Sequence, residues 1–171
     1  SGGEPTPVTP GGSDVVQVQE VDERGGFVYY VASPDNPTQR YLFRVRLDGQ
    51  GRPERLTPAG EPGTHAYQVS PDGRWAIHTY SRFERPPVID LVRLPEHTRV
   101  RMLAANARLH EKVAALKRKP AEFFRVDIGD GVELDGWRLE PPDMEPGRRY
   151  PLLMHVYGEP AGQTVLDRWG G

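Results

Sequence analysis

The segment 40–49, RYLFRVRLDG, is answered at 87–96, PVIDLVRLPE, where Val45-Arg46-Leu47 returns as Val92-Arg93-Leu94 after 47 residues. The same spacing carries Leu56 to Leu103 and the turn residue Gly26 to Gly73. At an offset of 48, Pro5, Thr9 and Pro10 of EPTPVTP match Pro53, Thr57 and Pro58 of RPERLTP, so two full units follow the tail of a third. Repetition at a fixed period bears on the fold before any local reading, because a unit that cannot cover its own apolar face must stack on copies of itself.

Within each unit, apolar residues alternate with polar ones over short runs bounded by turn residues, the pattern of half-buried strands. Strands are expected near 15–21, 27–33, 40–47 and 53–57, and again near 65–70, 74–80, 87–94 and 98–103. Asp48-Gly49 and Asp72-Gly73 put glycine where φ must be positive, and Ser70-Pro71-Asp72-Gly73 opens with the φ that proline fixes. Four strands in a period of ~40–50 residues predict β-propeller blades, and two blades cannot close a ring. After Leu103 the pattern changes. Asn106 is expected to cap a helix over 106–119 with Leu109, Val113 and Leu116 on one face, ended by Pro120. Phe123–Ile128 and Val132–Leu139 flank Gly129-Asp130-Gly131 and predict a hairpin. The nearly continuous apolar run 150–157, YPLLMHVY, suits a strand buried on both faces of a central sheet. Only GEPAGQTVLDRWGG follows it, so a second domain is expected to be cut soon after it begins.

Composition narrows the function classes. With 22 basic against 24 acidic side chains and a formal net charge of -2, there is no field to collect nucleic acid or anionic lipid. The 19 Gly and 18 Pro keep helices scarce, and the lack of cysteine excludes disulfides, thiolate metal sites and cysteine nucleophiles. No apolar stretch approaches the ~18 residues of a membrane span. His65, His78, His97, His110 and His155 invite a metal hypothesis, and His65 and His78 could fall on neighbouring strands. Ligand spacings such as H-x-E or H-x-x-x-H are absent, so no metal set is expected. His155 is expected to be a hydrogen-bonded core residue. Phe27, Tyr29, Tyr30, Tyr41, Phe43, Tyr67, Trp75 and Tyr80 are expected to pack blades rather than to form a stacking platform. Arg82, Arg85 and the prolines of SRFERPP read as a solvated blade turn rather than a loop reaching an active-site cavity, and Asp127, Asp130 and Asp135 as turn-capping residues. None of Ser1, Ser13, Ser33, Ser70 and Ser81 lies in a G-x-S-x-G elbow.

Over VDERGGFVYYVAS, RYLFRVRLDG, ERLTPAG, HAYQVSPDGRWAIHTYSRFERPP, RVRMLAANARL and YPLLMHVYGEPAGQ, the chain resembles the dipeptidyl peptidase IV branch of the prolyl oligopeptidase family of serine peptidases. The last of these motifs is the most specific. The resemblance implies a mostly β chain in which 1–104 are the last blades of a propeller, at about 13–59 and 60–104, with 1–12 the outer strand of a preceding blade. It makes 105–120 a linking helix and 121–171 the start of an α/β-hydrolase domain. The implied parent releases dipeptides from peptide amino termini, after proline or alanine, through an acyl-enzyme and without a cofactor. Tyr157 would donate its hydroxyl to the oxyanion. Glu159 stands where a second glycine is common and is expected to point away, toward Arg168 or Arg149. The nucleophile, acid and histidine of the triad would lie beyond Gly171, leaving these 171 residues inactive by themselves. The implied partners are a peptide substrate and the remainder of the same polypeptide, with a homodimer left open, in a periplasmic or extracytoplasmic bacterial setting. The rival readings are an acylaminoacyl peptidase, a prolyl oligopeptidase, or a noncatalytic propeller interaction module.

Overall fold

The computed structural model describes residues 6–9, 11–158 and 162–170. Ser1, Pro5, Pro10 and Glu159 therefore lie outside the described residues, and with them the expected orientation of Glu159.

Strands β1 (Val15–Asp22), β2 (Phe27–Ala32), β3 (Tyr41–Arg46) and β4 (Glu54–Arg55) pair in sequential order as one antiparallel sheet. Strands β5 (Thr64–Val69), β6 (Trp75–Arg82), β7 (Arg85–Arg93) and β8 (Thr98–Ala104) repeat the plan as a second. Each falls close to its expected span except β4, which is shorter. The N–H groups of both Leu56 and Thr57 converge on the Leu42 carbonyl, at 2.8 and 3.4 Å, and the Thr57 hydroxyl accepts the Leu42 N–H at 2.8 Å. That crowding ends the regular ladder after Arg55.

The turn at 70–73 forms as expected, with Gly73 N–H on the Ser70 carbonyl at 2.8 Å and the Ser70 hydroxyl on Asp72 at 2.6 Å. Gly73 is required twice over. Its φ is 63°, and a Cβ there would collide with the ring and hydroxyl of Tyr29 from the first sheet. The two sheets meet through Tyr29, Val31, Leu42 and Leu56 on one side and Tyr67, Ala76, Val92 and Leu94 on the other. Alternation along β2 and β3 turns Tyr30, Ala32, Tyr41, Phe43 and Val45 to the opposite face, where Val8 packs against them. Six of the eight aromatics assigned to packing are buried, and Phe27 and Trp75 are half-buried.

Beyond the sheets lies α1 (Ala107–Ala114), shorter than the expected helix. Asn106 precedes it but does not cap it with its side chain. The residue sits at φ 51°, and its amide donates instead to the Pro87 carbonyl at 2.7 Å, tying the helix entry to β7. Val113 is buried, whereas Leu109 and Leu116 are exposed. The hairpin of β9 (Glu122–Asp127) and β10 (Glu133–Arg138) forms as expected, with positive φ at Gly129, Asp130 and Gly131. Residues 139–158 contain no strand. The run 150–157 is not the doubly buried strand its composition predicts: Leu153 is 95% exposed, and Leu152, Met154 and Val156 are exposed too. His155 is likewise exposed rather than a core residue. A strand exists through the ladder it makes with a neighbour, and among the described residues no segment pairs with this one.

Candidate functional site

Alternation along β5 and β6 sends His65, Tyr67, His78 and Tyr80 to the face between the sheets, with His65 opposite Tyr80 and Tyr67 opposite His78. Their rings stack at 4.6 Å for His65–Tyr80, 4.7 Å for Tyr67–His78 and 5.1 Å for the two histidines. His65 and His78 do lie on neighbouring strands, and they bond to each other, Nδ1 to Nε2, at 2.8 Å. The tautomers follow from the partners. The Glu61 carbonyl only accepts, so His65 Nε2, 2.9 Å away, carries a proton. A neutral His65 then accepts at Nδ1 the proton on His78 Nε2. Burial lowers the pKa of His65 to about 4, partly offset by the hydrogen bond to the Glu61 carbonyl, and lowers that of His78 to about 2, where the neighbouring His65, His97 and Arg99 add to the burial effect. A second line of hydrogen bonds runs from Leu42 N–H through the Thr57 and Tyr67 hydroxyls, 2.8 Å apart, to His97 Nε2 at 2.9 Å. Among the described residues, no group of three or more His, Asp or Glu is arranged to hold a metal ion. This face is a neutral, hydrogen-bonded packing surface.

The β6–β7 connection keeps Arg82 and Arg85 exposed, as SRFERPP suggests, but the residues between them are packed. Phe83 packs on Phe123 at 5.8 Å and Trp137 at 5.0 Å, which seats the β9–β10 hairpin on the second sheet. Glu84 accepts the Ala121 N–H at 2.7 Å and pairs with Arg118 at 3.2 Å. Arg85 lies over the Tyr80 ring at 5.0 Å. Between this loop, Arg118 and Phe123 opens a cavity of about 350 Å³.

The chain then returns to the sheets through a residue that sequence reasoning missed. Asp167 is buried, and its carboxylate accepts from Phe83 N–H at 2.9 Å, Arg82 Nε at 3.2 Å and Gln39 Nε2 at 3.3 Å. Its own N–H donates to the Thr38 carbonyl at 2.7 Å, and its carbonyl accepts the Thr64 hydroxyl at 2.9 Å. Gln163 donates to the Pro37 carbonyl at 2.6 Å and accepts from Arg40. Within VLDRWG an acidic residue beside Arg168 reads as solvated, and no local spacing signals otherwise. Arg168 is the exposed one.

Tyr157 precedes this docked tail. It is 48% exposed, and its ring lies directly on the backbone of Gly162, where any Cβ would collide with it. The serines do not assemble a nucleophile here. Ser81 receives the Trp169 N–H at 3.4 Å, Ser70 serves its turn, and no serine bonds a histidine among the described residues.

Residues 1–87 match the family model described as the dipeptidyl peptidase IV N-terminal region. Over 168 residues the chain is 34% identical to a probable dipeptidyl-aminopeptidase B of Emericella nidulans, an overlap that spans 97% of this chain and 18% of that protein. A probable dipeptidyl peptidase 4 of the same organism is 29% identical over 99% of this chain and 22% of its own length. The crystal structure of Porphyromonas gingivalis dipeptidyl peptidase 4 matches with a TM-score of 0.85 and 31% identity, over 96% of this chain and 23% of that one. The chain thus spans about a fifth of the length of these proteins.

Proposed function

Because the chain belongs to the dipeptidyl peptidase IV family, we propose that it is the junction segment of a serine peptidase that releases dipeptides from the amino termini of peptides. In this reading, 13–59 and 60–104 are two propeller blades, 105–120 link them to the catalytic part, and 121–171 begin an α/β-hydrolase domain. What supports it is the path of the whole segment, two sheets, helix, hairpin and docked tail, which agrees with a dipeptidyl peptidase 4 over 96% of the chain at 31% identity.

The chemistry proposed is acyl transfer. A serine elsewhere in the polypeptide attacks the peptide carbonyl, and the carbonyl oxygen takes up negative charge in the tetrahedral transition state. The sheets supply walls that restrict the substrate. Tyr157 supplies a phenolic donor aimed at the developing charge, an interaction typically worth ~3–4 kcal/mol because the donor is already oriented when charge appears. In the full-length polypeptide, Tyr157→Phe is expected to lower kcat by roughly 10² to 10³ with folding unchanged. An unchanged kcat removes Tyr157 from the mechanism. The dipeptidyl assignment is tested with paired chromogenic substrates that differ in a free or acetylated amino terminus. Cleavage of the acetylated substrate alone would move the protein to the acylaminoacyl class.

A further inference from the structure

We infer that Asp167 is a positioning residue for Tyr157, an inference that rests on the oxyanion role proposed above. Tyr157 lies at the end of the run 150–157, which makes no ladder with any described strand. Its ring rests on a part of the chain that lies ahead, the Gly162 backbone. The next residue, Gln163, is bonded to Pro37 and Arg40 of the β2–β3 connection. Asp167 then closes the hold, reaching the same connection through Thr38 and Gln39 and the second sheet through Arg82, Phe83 and Thr64.

Two features make Asp167 the centre of this hold rather than one contact among many. Its carboxylate is buried and satisfied from both sheets at once, fixing the tail against the two together. It also pairs with Arg82 at 3.2 Å, and losing it leaves the Phe83 N–H and the Arg82 guanidinium without this acceptor. The floor under the Tyr157 ring is therefore set by loops of the two sheets. Reaction geometry is sensitive on this scale, since a displacement of ~1 Å at a reacting centre can cost about 10²-fold in rate.

The test is a double-mutant cycle in the full-length enzyme, read as kcat and KM separately, with thermal unfolding as a folding control. Asp167→Ala is expected to lower kcat by roughly tenfold or more while KM changes by less than about threefold, since a donor displaced from the oxyanion weakens transition-state binding selectively. Asp167→Asn keeps an acceptor for Phe83 N–H and should fall between wild type and alanine. In a Tyr157→Phe background the further cost of Asp167→Ala should vanish, because there is no longer a hydroxyl to misplace. If Tyr157→Phe slows the enzyme but Asp167→Ala is silent, or its cost persists undiminished in that background, Asp167 is only structural and the inference fails while the oxyanion role stands. If Tyr157→Phe itself is silent, both fall. Should Asp167→Ala not fold, Asp167→Asn and Gln39→Ala are taken through the same cycle. A kcat loss that disappears in the Tyr157→Phe background then supports the positioning role, and one that does not overturns it.

Discussion

The two sheets share four strands in the same order, yet the first is buried on both faces and the second mainly on one. Four consecutive residues of β2, Tyr29 to Ala32, are buried, whereas β5 and β6 alternate, with His65, Tyr67 and His78 buried and Ala66, Gln68 and Ile77 exposed. The first sheet lies between the second sheet and the segment around Val8, so both of its faces have a cover. The interiors differ as well. Hydrocarbon and phenol rings fill the first, while part of the covered face of the second is built from imidazoles. Equal strand plans therefore do not mean equal chemistry. A hydrocarbon face is indifferent to pH, and an imidazole face holds only while it is neutral.

The largest effect is expected from breaking the hydrocarbon contact that both sheets share. Leu42 is fully buried between them, and Leu42→Ala should cost about 2–5 kcal/mol in urea unfolding, for lost transfer energy and the cavity left behind. A cost below ~1 kcal/mol would mean that the sheets do not depend on each other for cover.

Acid comes next, and it should act through the imidazoles that the second sheet contributes to the face between the sheets. The pKa of His65 is about 4 in the fold against an ordinary 6.5, so between those values the unfolded chain binds the proton first. The stability that neutral His65 represents is complete above pH 6.5 and is lost as pH falls toward 4, by about 3 kcal/mol at most. The Glu61 carbonyl bonded to His65 eases protonation in part, and the other groups facing the pair do not. Arg55 and Arg99 oppose it, while the neutral Tyr41, Tyr67 and Tyr80 surround it and His97 adds a further titrating ring. A His65→Gln, His78→Gln double variant should flatten the pH dependence of the urea midpoint across this window, whereas Leu42→Ala should shift the midpoint without changing its slope with pH.

A smaller effect is expected at the seam. Gly73→Ala combines a positive φ with a collision against Tyr29 and should cost about 1–3 kcal/mol in thermal unfolding. The smallest belongs to the rim of the first sheet. Glu54 pairs with Arg44 at 2.7 Å, but Glu54 is exposed and Arg44 keeps its place over the Phe27 ring at 4.6 Å. Glu54→Gln should change stability by less than ~1 kcal/mol.

Where a feature depends on a few neighbouring residues, it was legible. The alternation in β2, β3, β5 and β6, the Ser70–Gly73 turn and the Gly129-Asp130-Gly131 turn all follow from side-chain size, pleat and φ, which each residue carries with it. Asn106 marks where that reasoning stops. Its side chain suits a helix cap, but the Pro87 carbonyl, 19 positions earlier, offers the amide a partner that only the folded chain supplies. The run 150–157 fails for the same reason in reverse, since its composition suits a strand but no described segment pairs with it. At the candidate site, Tyr157 could be picked out from its motif, but the support beneath it could not. Gly162, Gln163 and Asp167 meet the ring and the loops at 37–40 and 82–83 through contacts spanning up to 128 positions.

What these residues determined unaided is therefore the repeat, the strands, the turns and the family resemblance, because each is written in local pattern or in motif. Which faces are covered, which histidines bond each other, and the burial of Asp167 under two sheets were decided by tertiary structure. Those outcomes depend on which distant groups arrive at the same place, and desolvation by those neighbours sets whether a polar side chain ends as solvated surface or as a buried anchor.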